Sequence, residues 1–110
     1  MSYKLVVSPY FERELKRLAK KYTSVRDDFR TLLHSLLEDT TQGSALGKHS
    51  FKVRMAIRSK NKGKSGGARV ITCVKVVGET IYFLKIYDKS EQESINNEEL
   101  DSLLREAGLL

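Results

Sequence analysis

At Phe51 the hydrophobic period of this 110-residue chain changes from about 3.6 to 2, which limits the folds open to it. Before that point, Phe11, Leu15, Leu18, Ala19 and Tyr22 recur on one helical face, and Val25, Phe29, Leu32, Leu33, Leu36 and Leu37 do the same. After it, Phe51, Val53, Met55 and Ile57 alternate with Lys52, Arg54 and Arg58. That alternation belongs to a strand with one face on a core and a basic face outside. Residues 68–77 and 80–87 are two further β-rich runs, joined by a tight Gly78-Glu79 turn.

Local signals place the other elements. Residues 3–7 read as a short strand. Ser8 is expected to cap a helix that has Pro9 at its first position, where no backbone N–H is needed. Ser24 and Asp27 have the spacing of a capping box at the start of a second helix. Residues 40–47 are polar and glycine-bearing, and read as loop. Asn96 and Glu99 form a second capping box, flanked by Ile95 and Leu100 as a hydrophobic staple. Leu100, Leu103, Leu104 and Ala107 are the stripe of this last helix, with Gly108 as its C-cap. The order is β-α-α-β-β-β-α. We expect one α+β domain over residues 1–110, an antiparallel sheet with helices packed on one face and a basic opposite face.

Charge is concentrated. Between Thr40 and Gly78 there is no Asp or Glu, while nine Lys and Arg residues make a +9 block inside a frame of net −3. Such a field suits a polyanion, and nucleic acid is the first candidate. Arg58, Lys60, Lys62 and Lys64 are its expected RNA-binding cations. The single cysteine, Cys73, excludes an internal disulfide and reads as a buried small hydrophobe, which fits a reducing cytoplasm. No long apolar run points to a membrane. His34 and His49, fifteen residues apart, do not make a zinc site. His34 reads as helix packing, and His49 as a surface histidine that could serve as an acid or base.

The segment NKGKSGGARVI, residues 61–71, contains the Gly-Lys-Ser tail of a nucleotide-binding loop. That motif also needs an earlier glycine, where this chain has Arg58, and a helix afterwards, where it has a strand. A mononucleotide loop is thereby excluded. If the strands on either side form a hairpin, Lys52, Arg54 and Arg69 can share one sheet face, joined by Lys85 or Tyr87. Such a cluster offers donors to phosphate oxygens, and arginine can grip them bidentately.

The run FKVRMAIRSKNKGKSGGARVI, followed by IYFLKIYDKSEQ and a short C-terminal helix, resembles the RelE/ParE superfamily of toxin–antitoxin systems, nearest its RelE/HigB-like branch. The resemblance spans nearly the whole chain. It implies a toxin that cleaves mRNA in the ribosomal A site without a metal or other cofactor, the substrate's own 2′-OH attacking the adjacent phosphate. It also implies a cognate antitoxin, with mRNA and the ribosome as further partners. Carried over by position, Lys52, Arg54 and Arg69 match the family's basic face, and Tyr87 and Lys89 lie where it places further functional residues. Beyond Lys89 the chain reads SEQESINNEEL, without the tyrosine of some RelE-type members. Two other functions remain open on the same fold: a ParE-like gyrase inhibitor, or a nucleic-acid-binding module without catalysis.

Overall fold

The computed structural model describes residues 3–61 and 63–110. Its elements are β1 (Lys4–Val7), α1 (Pro9–Lys21), α2 (Val25–Glu38), β2 (Ser44–Gly47), β3 (Ser50–Met55), a short 3-10 turn (Arg58–Lys60), β4 (Ala68–Lys75), β5 (Thr80–Asp88) and α3 (Asn97–Glu106). The sheet order is β1-β5-β4-β3-β2. β2 to β5 run antiparallel in chain order, while β1 lies parallel to β5 after a crossover through the helix pair. Among the described residues no helix is long and apolar enough to cross a membrane.

The helix ends follow from their capping residues. Ser8 Oγ accepts the Phe11 N–H at 3.0 Å, with Pro9 at the first position of α1. Asn96 Oδ1 accepts the Glu99 N–H at 2.8 Å, and Gly108 takes a left-handed φ of +74° beyond α3. Ser24 departs from its expected capping box. Its hydroxyl donates to Asp28 Oδ2 at 2.6 Å and accepts the Ser59 N–H at 2.9 Å, so it ties α2 to the 3-10 turn.

α1 and α2 pack on one face of the sheet through Phe11, Leu18, Val25 and Leu36, against Val53, Val70, Ile81 and Phe83. Phe11, Phe29 and Phe83 meet at its centre with ring centroids 5.2–5.7 Å apart. Truncating one such ring costs about 3–5 kcal/mol.

Three particulars differ from the sequence reading. Residues 44–47 are a strand, because the free edge of β3 supplies the hydrogen bonds that Ser-Ala-Leu-Gly does not specify by pattern. β1 makes the sheet mixed instead of wholly antiparallel. The third helix does not share a face with the others. Leu100 and Leu104 of α3 cover Ile71, Cys73, Leu84 and Tyr87 on the opposite side. A bulge makes this possible: Ile71 pairs with Lys85 and Thr72 with Phe83, so Leu84 is an extra residue in β5. It lets Leu84, Lys85 and Tyr87 all serve the α3 side, while Ile86 faces the helix pair.

Candidate functional site

The register of β3, β4 and β5 sets out the basic face row by row. Arg54 pairs with Arg69 and Arg69 with Tyr87, and in the next row Lys52 pairs with Ile71 and Ile71 with Lys85. Neighbours in a row sit about 5 Å apart on one face. Lys52, Arg54, Arg69 and Tyr87 are therefore brought together, as the alternation predicted, with Lys85 beside them. Lys89 follows where the chain leaves β5, its N–H bonded to the Gly67 carbonyl at 3.0 Å.

These residues do not play equal parts. Arg54 is exposed and makes no hydrogen bond or ion pair among the described residues, so its guanidinium is open to a ligand. Arg69 is only 4% exposed and spends its donors on the loop carbonyls of Lys64 (3.0 Å), Ser65 (3.3 Å) and Ala68 (3.1 Å). It clamps the glycine-rich loop. Gly67 completes that clamp by close approach: a Cβ there would lie 2.2 Å from the Met55 carbonyl oxygen.

The segment after β5 lies over the basic rows. Lys52 Nζ donates to Ser94 Oγ at 3.2 Å, Lys89 Nζ to Glu93 Oε1 at 2.9 Å, and Lys85 pairs with Glu99. The Lys89 ammonium holds the exposed Glu93 carboxyl below its usual range, and Arg69 and Lys52 add to the effect. Tyr87 is buried, and among the described residues its hydroxyl meets no partner within hydrogen-bond geometry, although Ser94 is close enough to act on it. Burial raises the phenol, so it stays protonated at neutral pH.

The expected RNA-binding cations are scattered. Arg58 lies beyond the end of β3 and turns toward α2, where its Nε donates to the buried Asp28 at 2.8 Å. Lys60 is a correction. Its side chain is 9% exposed and paired at 2.9 Å with the fully buried Asp88, beneath the Tyr22 ring, so it holds the fold and presents no charge to a partner. Lys64 is exposed on the loop, and Lys62 lies outside the described residues. His49 sits in the β2–β3 turn, past the end of β3 away from Arg54. His34 is exposed on α2.

Asp88, read from sequence as a strand-end turn residue, is the part that pattern missed. Its carboxylate accepts from Tyr22 (2.7 Å), Lys60 (2.9 Å), and the Ser90 N–H and hydroxyl (2.9 and 2.8 Å). Burial alone would raise this carboxyl; the four donors outweigh it and hold the group well below the usual range. The network joins the end of α1, the 3-10 turn and the start of the segment that carries Lys89. Sequence shows Asp88 only between Tyr87 and Lys89, and nothing local names Tyr22 or Lys60 as its partners.

The model of the family described as "RelE toxin of RelE / RelB toxin-antitoxin system" matches residues 9–110. The chain belongs to the RelE toxin family. Solved RelE-family structures share its fold. A double-arginine mutant of Escherichia coli toxin RelE in the free state superposes with a TM-score of 0.58 at 19% identity, covering 84% of this chain and 90% of that one. The same mutant in complex with an antitoxin RelB peptide gives 0.56 at 19% identity, with 88% and 98% covered. The toxin–antitoxin complex RelBE2 of Mycobacterium tuberculosis gives 0.55 at 11% identity, with 80% and 99% covered. No curated protein matches the chain significantly by sequence.

Proposed function

We propose that this RelE-family toxin is an endoribonuclease that cleaves mRNA in the ribosomal A site, held in check by a cognate antitoxin in the cytoplasm. The observation that carries the reading is the row Arg54–Arg69–Tyr87 beside Lys52, with a guanidinium at one end and a hydroxyl at the other that meet no partner among the described residues.

The chemistry follows from those groups. The 2′-OH of the nucleotide before the cut loses its proton and its oxygen bonds to phosphorus. The P–O5′ bond breaks, the 5′-oxygen takes a proton, and a 2′,3′-cyclic phosphate remains. Negative charge grows on the phosphoryl oxygens, and Arg54 and Lys52 stabilise it. The 2′-OH proton leaves to solvent water, the Lys89 ammonium adds positive charge at the rim, and Tyr87, kept protonated by burial, is the donor for the leaving oxygen. RNA arriving beside Lys52 displaces Ser94 and uncovers that hydroxyl. Arg69 acts by holding the loop and Lys64 in place. The step as written uses only these side chains, solvent water and the substrate's own hydroxyl.

Primer extension on translated mRNA after expression without antitoxin tests the reading. Wild-type protein is expected to cut within translated codons, and Arg54→Ala to lose cutting by two orders of magnitude or more while remaining folded. Undiminished cutting by that variant removes the assignment.

A further inference from the structure

Around the outer edge of β3 from the basic rows there is a recess of about 160 Å³, open to solvent on one side. It exists because β2 stops pairing at Ser44↔Lys52. At Gly43 the preceding loop passes so close that a Cβ would lie 2.5 Å from the Lys52 carbonyl oxygen, and the chain then turns toward α2. Among the described residues the edge of β3 beyond Lys52 has no partner strand, with α2 alongside. Leu32 and Met55 give the recess an apolar floor, and Thr31, Ser35 and Gln42 give it polar walls. Gln42 Nε2 is bonded to Ser35 Oγ at 2.8 Å and to the Asp39 carbonyl at 3.3 Å. Its amide oxygen is left as an acceptor. Asp28, the acid of the lining, is already neutralised by Arg58. The other cations of the lining, beside the Asp28-paired Arg58, are Arg54 and Lys64.

We propose that this recess is a base-specificity subsite that seats one pyrimidine of the RNA, with the adjoining phosphate on Arg54. The proposal rests on the reading of the Arg54 face as RNA-binding and adds to it which base is held. Size favours a pyrimidine. A cavity of about 150 Å³ accommodates a single benzene ring. The recess is of that volume, so a single ring fills it and the fused second ring of a purine is left outside, in solvent. Chemistry favours a base over a plain hydrocarbon. A flat ring lies on Leu32 and Met55 while its polar edge meets the hydroxyls and the Gln42 acceptor, which suits the ring N–H of uracil or the amino group of cytosine. Position favours RNA over an unrelated metabolite, because Arg54 borders both the recess and the row assigned to the phosphate.

The test is an NMR titration of the full chain, labelled with nitrogen-15 throughout and at its Met and Leu methyl groups, with CMP, UMP, AMP, GMP and ribose 5-phosphate as separate probes. CMP and UMP are expected to shift the Met55 and Leu32 methyls, with at least tenfold weaker effects from AMP and GMP. Ribose 5-phosphate is expected to shift only the Arg54 and Lys64 signals. Ser35→Trp and Thr31→Trp, both at exposed α2 positions that do not enter the core, fill the recess. They are expected to weaken pyrimidine binding at least tenfold and to leave ribose 5-phosphate binding within twofold. The proposal is overturned if the pyrimidines leave Met55 and Leu32 unmoved, if purines bind equally well, or if neither tryptophan has an effect. Met55 shifts with pyrimidines but no phosphate response at Arg54 would instead sustain the recess and sink the phosphate-binding face.

Discussion

Replacing Asp88 by Ala removes the acceptor that four donors share, and leaves the Lys60 ammonium in a site where its side chain is 9% exposed. Breaking a buried pair from one side costs about 3–5 kcal/mol, because the remaining charge has lost its partner without regaining water. Against a total stability of roughly 5–15 kcal/mol that is a large fraction. With a urea m-value of about 2 kcal/mol/M, the unfolding midpoint is expected to fall by about 2 M. Lys60→Met is milder, at about 1–2 kcal/mol, because Asp88 keeps Tyr22 and Ser90. Combining Lys60→Met with Asp88→Ala should cost less than the separate changes together, a coupling of about 2 kcal/mol. Urea denaturation of the four proteins measures the cycle. A loss below about 1 kcal/mol for Asp88→Ala, or a coupling near zero, refutes the argument that this pair ties α1 to the segment bearing Lys89.

Four other outcomes follow from the same structure. The depressed Asp88 carboxyl stabilises the fold at any pH above its unfolded value of 3.8, and that contribution is lost as pH falls below it toward the folded value. Acid titration of Asp88→Asn should therefore show a flatter stability profile below about pH 4 than wild type. Lys48 and His49 both hold left-handed φ (55° and 62°) in the two-residue turn between β2 and β3, so Asn-Gly there should raise stability by about 1–2 kcal/mol in a thermal melt. Arg69→Lys cannot span the carbonyls of Lys64, Ser65 and Ala68, and amide exchange in the loop should accelerate more than tenfold. Tyr87→Phe deletes a hydroxyl with no partner among the described residues; stability should change by less than about 1 kcal/mol while RNA cutting falls by about 10²-fold, a split that separates a proton donor from a packing residue.

What the sequence made legible is what its local signals encode. The helix pair, the Ser8 and Asn96 caps and the alternation across Lys52 and Arg54 are written in period and spacing, and the structure keeps them. The α+β class and the row of basic residues followed from those patterns. The placing of α3 did not, because it depends on the bulge at Leu84, a mismatch between strands that neither strand signals alone. β2 was hidden for a similar reason: its pairing is supplied by the edge of β3 instead of its own residues. Charge was the least legible property. Sequence counts Arg58 and Lys60 with Lys52 and Arg54, yet tertiary contacts turn Arg58 to Asp28 and bury Lys60 against Asp88. Only the fold shows which cations are spent on internal acids.

The central claim is that the face bearing Lys52, Arg54 and Tyr87 cuts RNA through its own 2′-OH. Sequencing RNA ends selectively for 2′,3′-cyclic phosphates, after brief expression without antitoxin, measures this directly. The account predicts that such ends accumulate inside translated codons with the wild-type chain and vanish with Arg54→Ala. Growth arrest by the wild-type chain with no new cyclic-phosphate ends would contradict it.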